Sequence, residues 1–220
     1  ITEGTLKVGL PLPTEAELAQ GFSISLITIR AALRELEDEG LIRKRAAKTA
    51  LVVSAIPLAE RTREIGTLAD LAADLADSAL EIASYRLTRS VEAARTLGLD
   101  GRTVLPCLRG VLARGGVART DIAIYLLPEL GRRLCRADFS EPVVFLLLER
   151  RFGITIGGAQ ATVSARVADA GLAGRLGCAE GDPILDSRLA IHDSAGRVVQ
   201  FTVARHRADA INVGYWLRRG

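Results

Sequence analysis

The chain has 220 residues, 49% of them apolar, a formal net charge of +3 and three cysteines, enough for one large or two small domains with real cores. Cys107, Cys135 and Cys178 are odd in number and far apart, which excludes a disulfide framework or a metal-ligand spacing and leaves isolated buried thiols as the expectation. No apolar run approaches 18 residues and no signal peptide is evident, so a cytoplasmic protein with no membrane segment and no cofactor is expected.

Pro13 and Thr14 mark the first helix start, with Thr14 as N-cap and Glu17 three residues on, as a capping box requires. Leu18 and Phe22 form an i, i+4 apolar pair, and Gly21 and Ser23 break the helix. Ser25 caps the next helix. There Ile29, Ala32, Leu33 and Leu36 share one face and are expected in the core; Ile27, Arg30, Ala31 and Arg34 form the opposite strip. Gly40 ends the helix at C′. Leu41 to Arg45 and Ala50 to Val53 read as short strands, with Ala46 to Thr49 as the tip between them. Two short helices across a tight turn, followed by a basic hairpin, make a winged helix-turn-helix. A strip of small residues and arginines in the N-terminal half of a helix suits a major groove. The candidate DNA contacts are Thr14, Ser25, Ile27, Thr28, Arg30, Arg34, Arg45 and Lys48. Net charge adds nothing to that reading: residues 1–53 hold seven basic and seven acidic side chains, so the positive excess lies in the remainder.

LPTEAELA, ISLITIRAALRELEDEGLI and KTALVV resemble the DNA-binding domain of the GntR family of bacterial transcription regulators, over residues 1–53. The family's first helix precedes this stretch, so the sequence is expected to begin inside the domain. The family places arginine where Ala16 and Leu26 stand and glycines where Ala47 and Thr49 stand, while Thr28 and Arg30 are kept. The resemblance therefore implies fewer phosphate and base contacts than usual and weaker DNA binding.

Residues 54–67 mix Pro, Gly and charge and suit a linker. Leu68 to Ala83 fits a helix through Leu68, Leu71, Leu75 and Ile82, and Ser90 to Leu97 fits another. Thr103 to Arg114 and Val117 to Leu127 are strands around the hairpin signal Gly115-Gly116. A helix follows over Glu141 to Phe152, a strand over Ala159 to Ala168 and a short helix over Ala170 to Leu176. Ile184 to His192 and Val198 to His206 form a last hairpin. Hairpins with a few helices imply an antiparallel α+β domain.

The runs LGLDGRTVLPCLRGVLA, IYLLPEL, LLLERRFGITI, LAGRLGCAEGDPIL and DSRLAIHDSAGRVVQFTVARHRAD resemble, in that order, the UTRA effector-binding domain of the HutC subfamily, over about 68–215. The resemblance implies a chorismate-lyase-like fold for residues 68–220, with irregular structure and a strand in the Leu68 to Ala83 region. It also implies a homodimer that binds a double-stranded DNA operator and a small polar or anionic effector, which alters the spacing of two DNA-binding heads and relieves repression.

The residues can also be read by themselves. Thr162, Ser164 and Arg166 alternate with apolar neighbours, so they form either a ligand wall or a solvent face. Arg109 has apolar same-face neighbours, and a buried arginine needs an acid or a bound anion; Asp121 is the structural candidate. Arg188 alternates similarly, with Asp186 able to satisfy it, and Tyr125 offers a hydroxyl or simply anchors a hairpin end. Arg109, Arg205, Arg207 and Asp209 stand where the resemblance places effector-contacting or terminal residues, whereas Val111 and Gln200 depart from it. The effector candidates are Arg109, Tyr125, Thr162, Ser164, Arg166, Arg188 and Arg207. Two other readings stand beside the regulator: a degenerate member that binds ligand but grips DNA weakly, and a lyase-like enzyme. Against the enzyme, the chain offers no nucleophile beside a histidine, no acid pair at useful spacing and no phosphate loop.

Overall fold

The computed structural model describes residues 1, 5–45, 48–55, 57, 62–64 and 66–214. The chain forms two compact units, Ile1–Glu64 with Asp209–Gly220, and Ile65–Ala208.

In the first unit α1 (Glu15–Phe22) opens on the expected capping box: Glu17 N–H donates to Thr14 Oγ1 at 3.2 Å, and Thr14 N–H donates to the Glu17 carboxylate at 2.7 Å. The helix runs through Gly21 and stops at Ser23, whose φ of 56° is left-handed. α2 (Leu26–Asp38) starts from Ser25 and ends at Gly40, with φ 66°. Ile29 and Leu33 are buried and Leu36 packs beside them. Ala32, expected in the core, is exposed. It lies at the margin of the apolar stripe, and the core beneath is too small to reach it: its buried members are Leu12, Ile29, Leu33, Leu41, Ile42 and Val52.

β1 (Ile42–Arg45) pairs antiparallel with β2 (Lys48–Val52). Ala46 and Ala47, the first half of the expected tip, lie outside the described residues, while Lys48 and Thr49 belong to β2. The stretch 54–67, expected to be a linker, contains β3 (Thr62–Glu64). It pairs in parallel with β10 (Asn212–Gly214), so the chain end beyond Ala208 groups with the first unit. Local composition gave no sign of this because the strand's partner is some 150 residues away.

The second unit begins with α3 (Leu68–Leu75), capped by Thr67. The helix that the periodicity extends to Ala83 stops at Leu75, and the strand that the resemblance implies for this region follows as β4 (Ala79–Arg89), paired with β5 along its length. Cross-strand pairing overrides helix propensity there. α4 (Val91–Thr96) is capped by Ser90, and β5 (Val104–Arg114) turns into β6 (Val117–Leu126). Gly115 and Gly116 both take positive φ, as a two-residue hairpin turn of this hand requires. Then come α5 (Pro128–Gly131), α6 (Val144–Phe152), β7 (Ile156–Val167), α7 (Ala170–Leu176), β8 (Pro183–Asp193) and β9 (Val198–Arg207). α6 starts three residues later than Glu141 and ends as expected at Gly153, φ 65°.

The six long strands form one sheet in the order β4-β5-β6-β9-β8-β7, every neighbour antiparallel. Directly paired residues point to the same side. One side therefore collects Cys107 and Arg109 of β5, Asp121 and Tyr125 of β6, Arg205 of β9, Asp186 and Arg188 of β8, and Thr162 and Ser164 of β7. The other side carries Leu108, Leu112, Ile122 and Ile124 into the main core. Tyr85 belongs to that side too; its hydroxyl donates to Gly131 O at 2.5 Å, and burial first, then nearby Asp138, push it up to about 12. Of the cysteines, Cys107 is buried as expected, Cys178 is half-buried and Cys135 is exposed. Among the described residues no helix is long and apolar enough to cross a membrane.

Candidate functional site

Each unit holds a distinct candidate surface. On the first, Ile27, Arg30, Ala31 and Arg34 are all exposed along one strip of α2, as the spacing requires. Most of the polar candidates around the strip already have partners within the chain. Thr14 Oγ1 and Ser25 Oγ cap helices; Thr28 N–H donates to Ser25 Oγ at 3.2 Å, and the two hydroxyls lie 2.9 Å apart. Arg30 Nε donates to Glu15 at 2.8 Å. Arg45 donates from Nε and Nη2 to Thr49 O at 3.1 and 3.0 Å, so it clamps the hairpin. Lys44 pairs with Glu37 at 2.8 Å and lowers that carboxyl's pKa. Arg34 and Lys48 are exposed, with no ion pair among the described residues.

In the second unit all seven effector candidates lie on one side of the sheet: Arg166 and Arg207 are both paired with Ile184, which shares the side of Asp186. They do not form one site. Arg109 on β5 and Thr162 on β7 are four strands apart, about 19 Å, too far for one small molecule to touch both.

Arg109 departs from expectation. It is half-buried, and Asp121 is not its partner. The register explains this: Arg109 faces Ala123, whereas Asp121 faces Val111 on one side and Arg205 on the other. Arg109 instead lies beside Cys107 and Tyr125. Burial pushes both of those groups up, and the neighbouring guanidinium opposes the rise in each. Arg109 Nε is buried without a hydrogen-bond partner among the described residues.

A chain of alternating charges crosses the middle of this side. Glu92 of α4 binds Arg188, and Arg188 reaches Asp186 at 2.5 Å. Asp186 lies 3.9 Å from Arg205, Arg205 lies 3.3 Å from Asp121, and Asp121 binds Arg175 of α7 at 2.6 Å. Arg166 joins at Asp186, 2.8 Å away. The bonds from Asp121 to Arg175 and from Glu92 to Arg188 raise the pKa of each guanidinium. Asp186 is 1% exposed and Asp121 is buried. A buried carboxylate needs such partners, because an uncompensated charge costs several kcal/mol, roughly 3 to 5, when a partner is removed. Arg207 Nη1 donates to Leu176 O at 3.3 Å, and Ser164 Oγ to Asp186 O at 3.5 Å. Beside α7 a cleft of about 190 Å³ is lined by Arg166, Val167, Asp169, Leu172, Arg175, Ile184 and Arg205. That is below the usual range for a drug-sized ligand and suits a small ion or short acid.

Sequence reasoning missed Glu92 and Arg175. Each sits on a short helix with no local mark of its role, since its partner is 96 or 54 residues away. Among the described residues no group of three His, Cys, Asp or Glu side chains is placed to hold a metal ion.

Comparison with known proteins follows the two units. Residues 80–212 match the family described as UTRA domain, and residues 1–52 match bacterial regulatory proteins, gntR family. The chain is 24% identical over 224 aligned positions to the HTH-type transcriptional regulator Rv0792c of Mycobacterium tuberculosis, covering 100% of this chain and 82% of that protein. It is 27% identical over 206 positions to the HTH-type transcriptional repressor PhnF of Mycolicibacterium smegmatis, covering 93% and 83%. Among solved structures, PhnF from Mycobacterium smegmatis superposes with a TM-score of 0.64 at 22% identity, over 98% of this chain and 95% of that one. The possible transcriptional regulator YydK from Bacillus subtilis gives 0.63 at 18%, over 98% and 93%. At these identities the superpositions speak for the fold.

Proposed function

The chain belongs to the gntR family of bacterial transcription regulators and carries a UTRA domain, and on that premise we propose a cytoplasmic, homodimeric repressor released from its operator by a small anion. α2 enters the major groove and its N-terminal residues meet base edges, while Arg34 and Lys48 remain open for phosphates. The effector shifts a two-state equilibrium of the dimer by binding one state better than the other.

Arg109 carries the effector reading. It has a buried Nε without a hydrogen-bond partner among the described residues, on a side of the sheet where Arg166, Arg175, Arg188 and Arg205 already hold carboxylates. A carboxylate or phosphate oxygen supplies the missing acceptor. Tyr125 stands beside it with a hydroxyl kept protonated by burial. A second reading places the anion in the cleft beside α7, where Arg166, Arg175 and Arg205 converge.

A gel shift with the promoter of the protein's own gene tests both. The expected result is a salt-sensitive, sequence-preferring shift that a small carboxylate or phosphate ester releases, with release lost in Arg109→Ala while the shift itself persists. Loss of release in Arg175→Ala alone moves the anion to the cleft. A shift that is absent, or indifferent to sequence and salt, overturns the regulator reading.

A further inference from the structure

The α2 strip begins on an apolar side chain. Ile27 is 79% exposed, the most open of the large hydrophobic side chains described, and sits in the first turn of the helix. Ala31 follows one turn on, also exposed. Around them the polar groups of that turn already have partners: Ser25 and Thr28 are joined in the cap, and Arg30 Nε is bound to Glu15. The most exposed side chain of that turn is a branched hydrocarbon, Ile27 at 79% against 44% for Leu26.

We propose that Ile27 reads the C5-methyl group of a thymine in the major groove and is a specificity-determining residue for this regulator's operator; this rests on the reading that α2 enters the groove. Of the groups that base pairs present in the major groove, the thymine methyl is the apolar one. An isoleucine neither donates nor accepts a hydrogen bond. Against a G·C pair it strips water from N7, O6 or N4 and returns nothing, so the same side chain rejects the wrong pair. Isoleucine is β-branched and nearly fixed at χ1 within a helix, so placing it against the methyl costs little side-chain freedom. The setting is complementary in charge as well. Arg34 continues the strip and Lys48 is exposed on β2, so cations that attract phosphates stand near the apolar contact.

The test uses the full chain and a pool of random duplexes. Sequences enriched by the wild-type protein are expected to share a thymine in each half-site. Replacing that thymine by deoxyuridine removes the methyl and leaves base pairing intact. It is expected to weaken wild-type binding about three- to fivefold, and a G·C pair at that position about tenfold or more. Ile27→Ala, at an exposed site where folding is checked by circular dichroism, is expected to bind the enriched duplex more weakly and to lose its sensitivity to deoxyuridine. Wild-type binding that tolerates deoxyuridine at every thymine overturns the proposal. So does an Ile27→Ala variant that keeps the full deoxyuridine effect, or one that changes self-association and leaves DNA preference intact. Failure of the wild-type protein to enrich any sequence overturns the groove reading along with it.

Discussion

In the N-terminal unit Thr14 binds Glu17 and Ser25 binds Thr28, each three residues away. In the sheet unit Asp121 binds arginines 54 and 84 residues away. The first surface is made by short-range rules acting on a small core; the second is assembled by strand register from distant parts of the chain. The contrast shows why the first surface leaves Ile27, Arg34 and Lys48 open to water, while the second holds its buried carboxylates in pairs with arginines. An exposed strip costs nothing to leave unpaired in water, whereas carboxylates as deeply placed as Asp186 and Asp121 are tolerable only with arginines beside them.

The sharpest way to break this comparison is at the small core. Leu33→Ala removes a 7%-exposed side chain from a cluster with little capacity to collapse around the gap, and is expected to cost about 2 to 4 kcal/mol. The helical signal of the head and the DNA shift should be lost together; a variant that melts with the wild type would show that the small core is not what holds α2. Next in size is Asp186→Asn. It leaves Arg166, Arg188 and Arg205 without their shared carboxylate, and since those side chains are 57%, 22% and 33% exposed, water offsets part of the loss. About 1 to 3 kcal/mol is expected in denaturant unfolding, against about 0 to 1 for Arg166→Gln. Equal costs for the two would mean that Asp186 is not the hub of the network.

A smaller effect than that of Asp186→Asn is expected at the cap. Thr14→Ala should cost about 1 kcal/mol in thermal unfolding near neutral pH. Its pH dependence is specific, because the Thr14 side chain and backbone hold the Glu17 carboxyl below its ordinary 4.5. A lowered folded value contributes stability above 4.5 and loses it as pH falls through that lowered value. The gap between wild type and variant should therefore narrow as pH falls below 4.5, leaving the part due to the Glu17 N–H to Thr14 Oγ1 bond; a gap that persists undiminished in acid would remove the Glu17 carboxyl from the account.

Much of both units was legible residue by residue. The Thr14–Glu17 box, the Ser25 cap, Gly40, the Gly115-Gly116 turn and the Gly153 stop are short-range signals, set by the hydrogen bonds and φ angles that neighbouring residues allow. Alternation placed Thr162, Ser164 and Arg166 on one side of their strand, and the register gathered the other effector candidates onto the same side. The amino-acid sequence alone thus set most of the helices and hairpins, their caps and the outward strip of α2. Tertiary structure alone decided that residues 79–83 extend instead of coiling, that β3 pairs with β10, and that Asp121 takes Arg175 and Arg205 instead of Arg109. The reason is physical: caps and periodicity act over a few residues, whereas the partner of a strand or of a buried charge is fixed by which distant segments the sheet's register brings opposite one another.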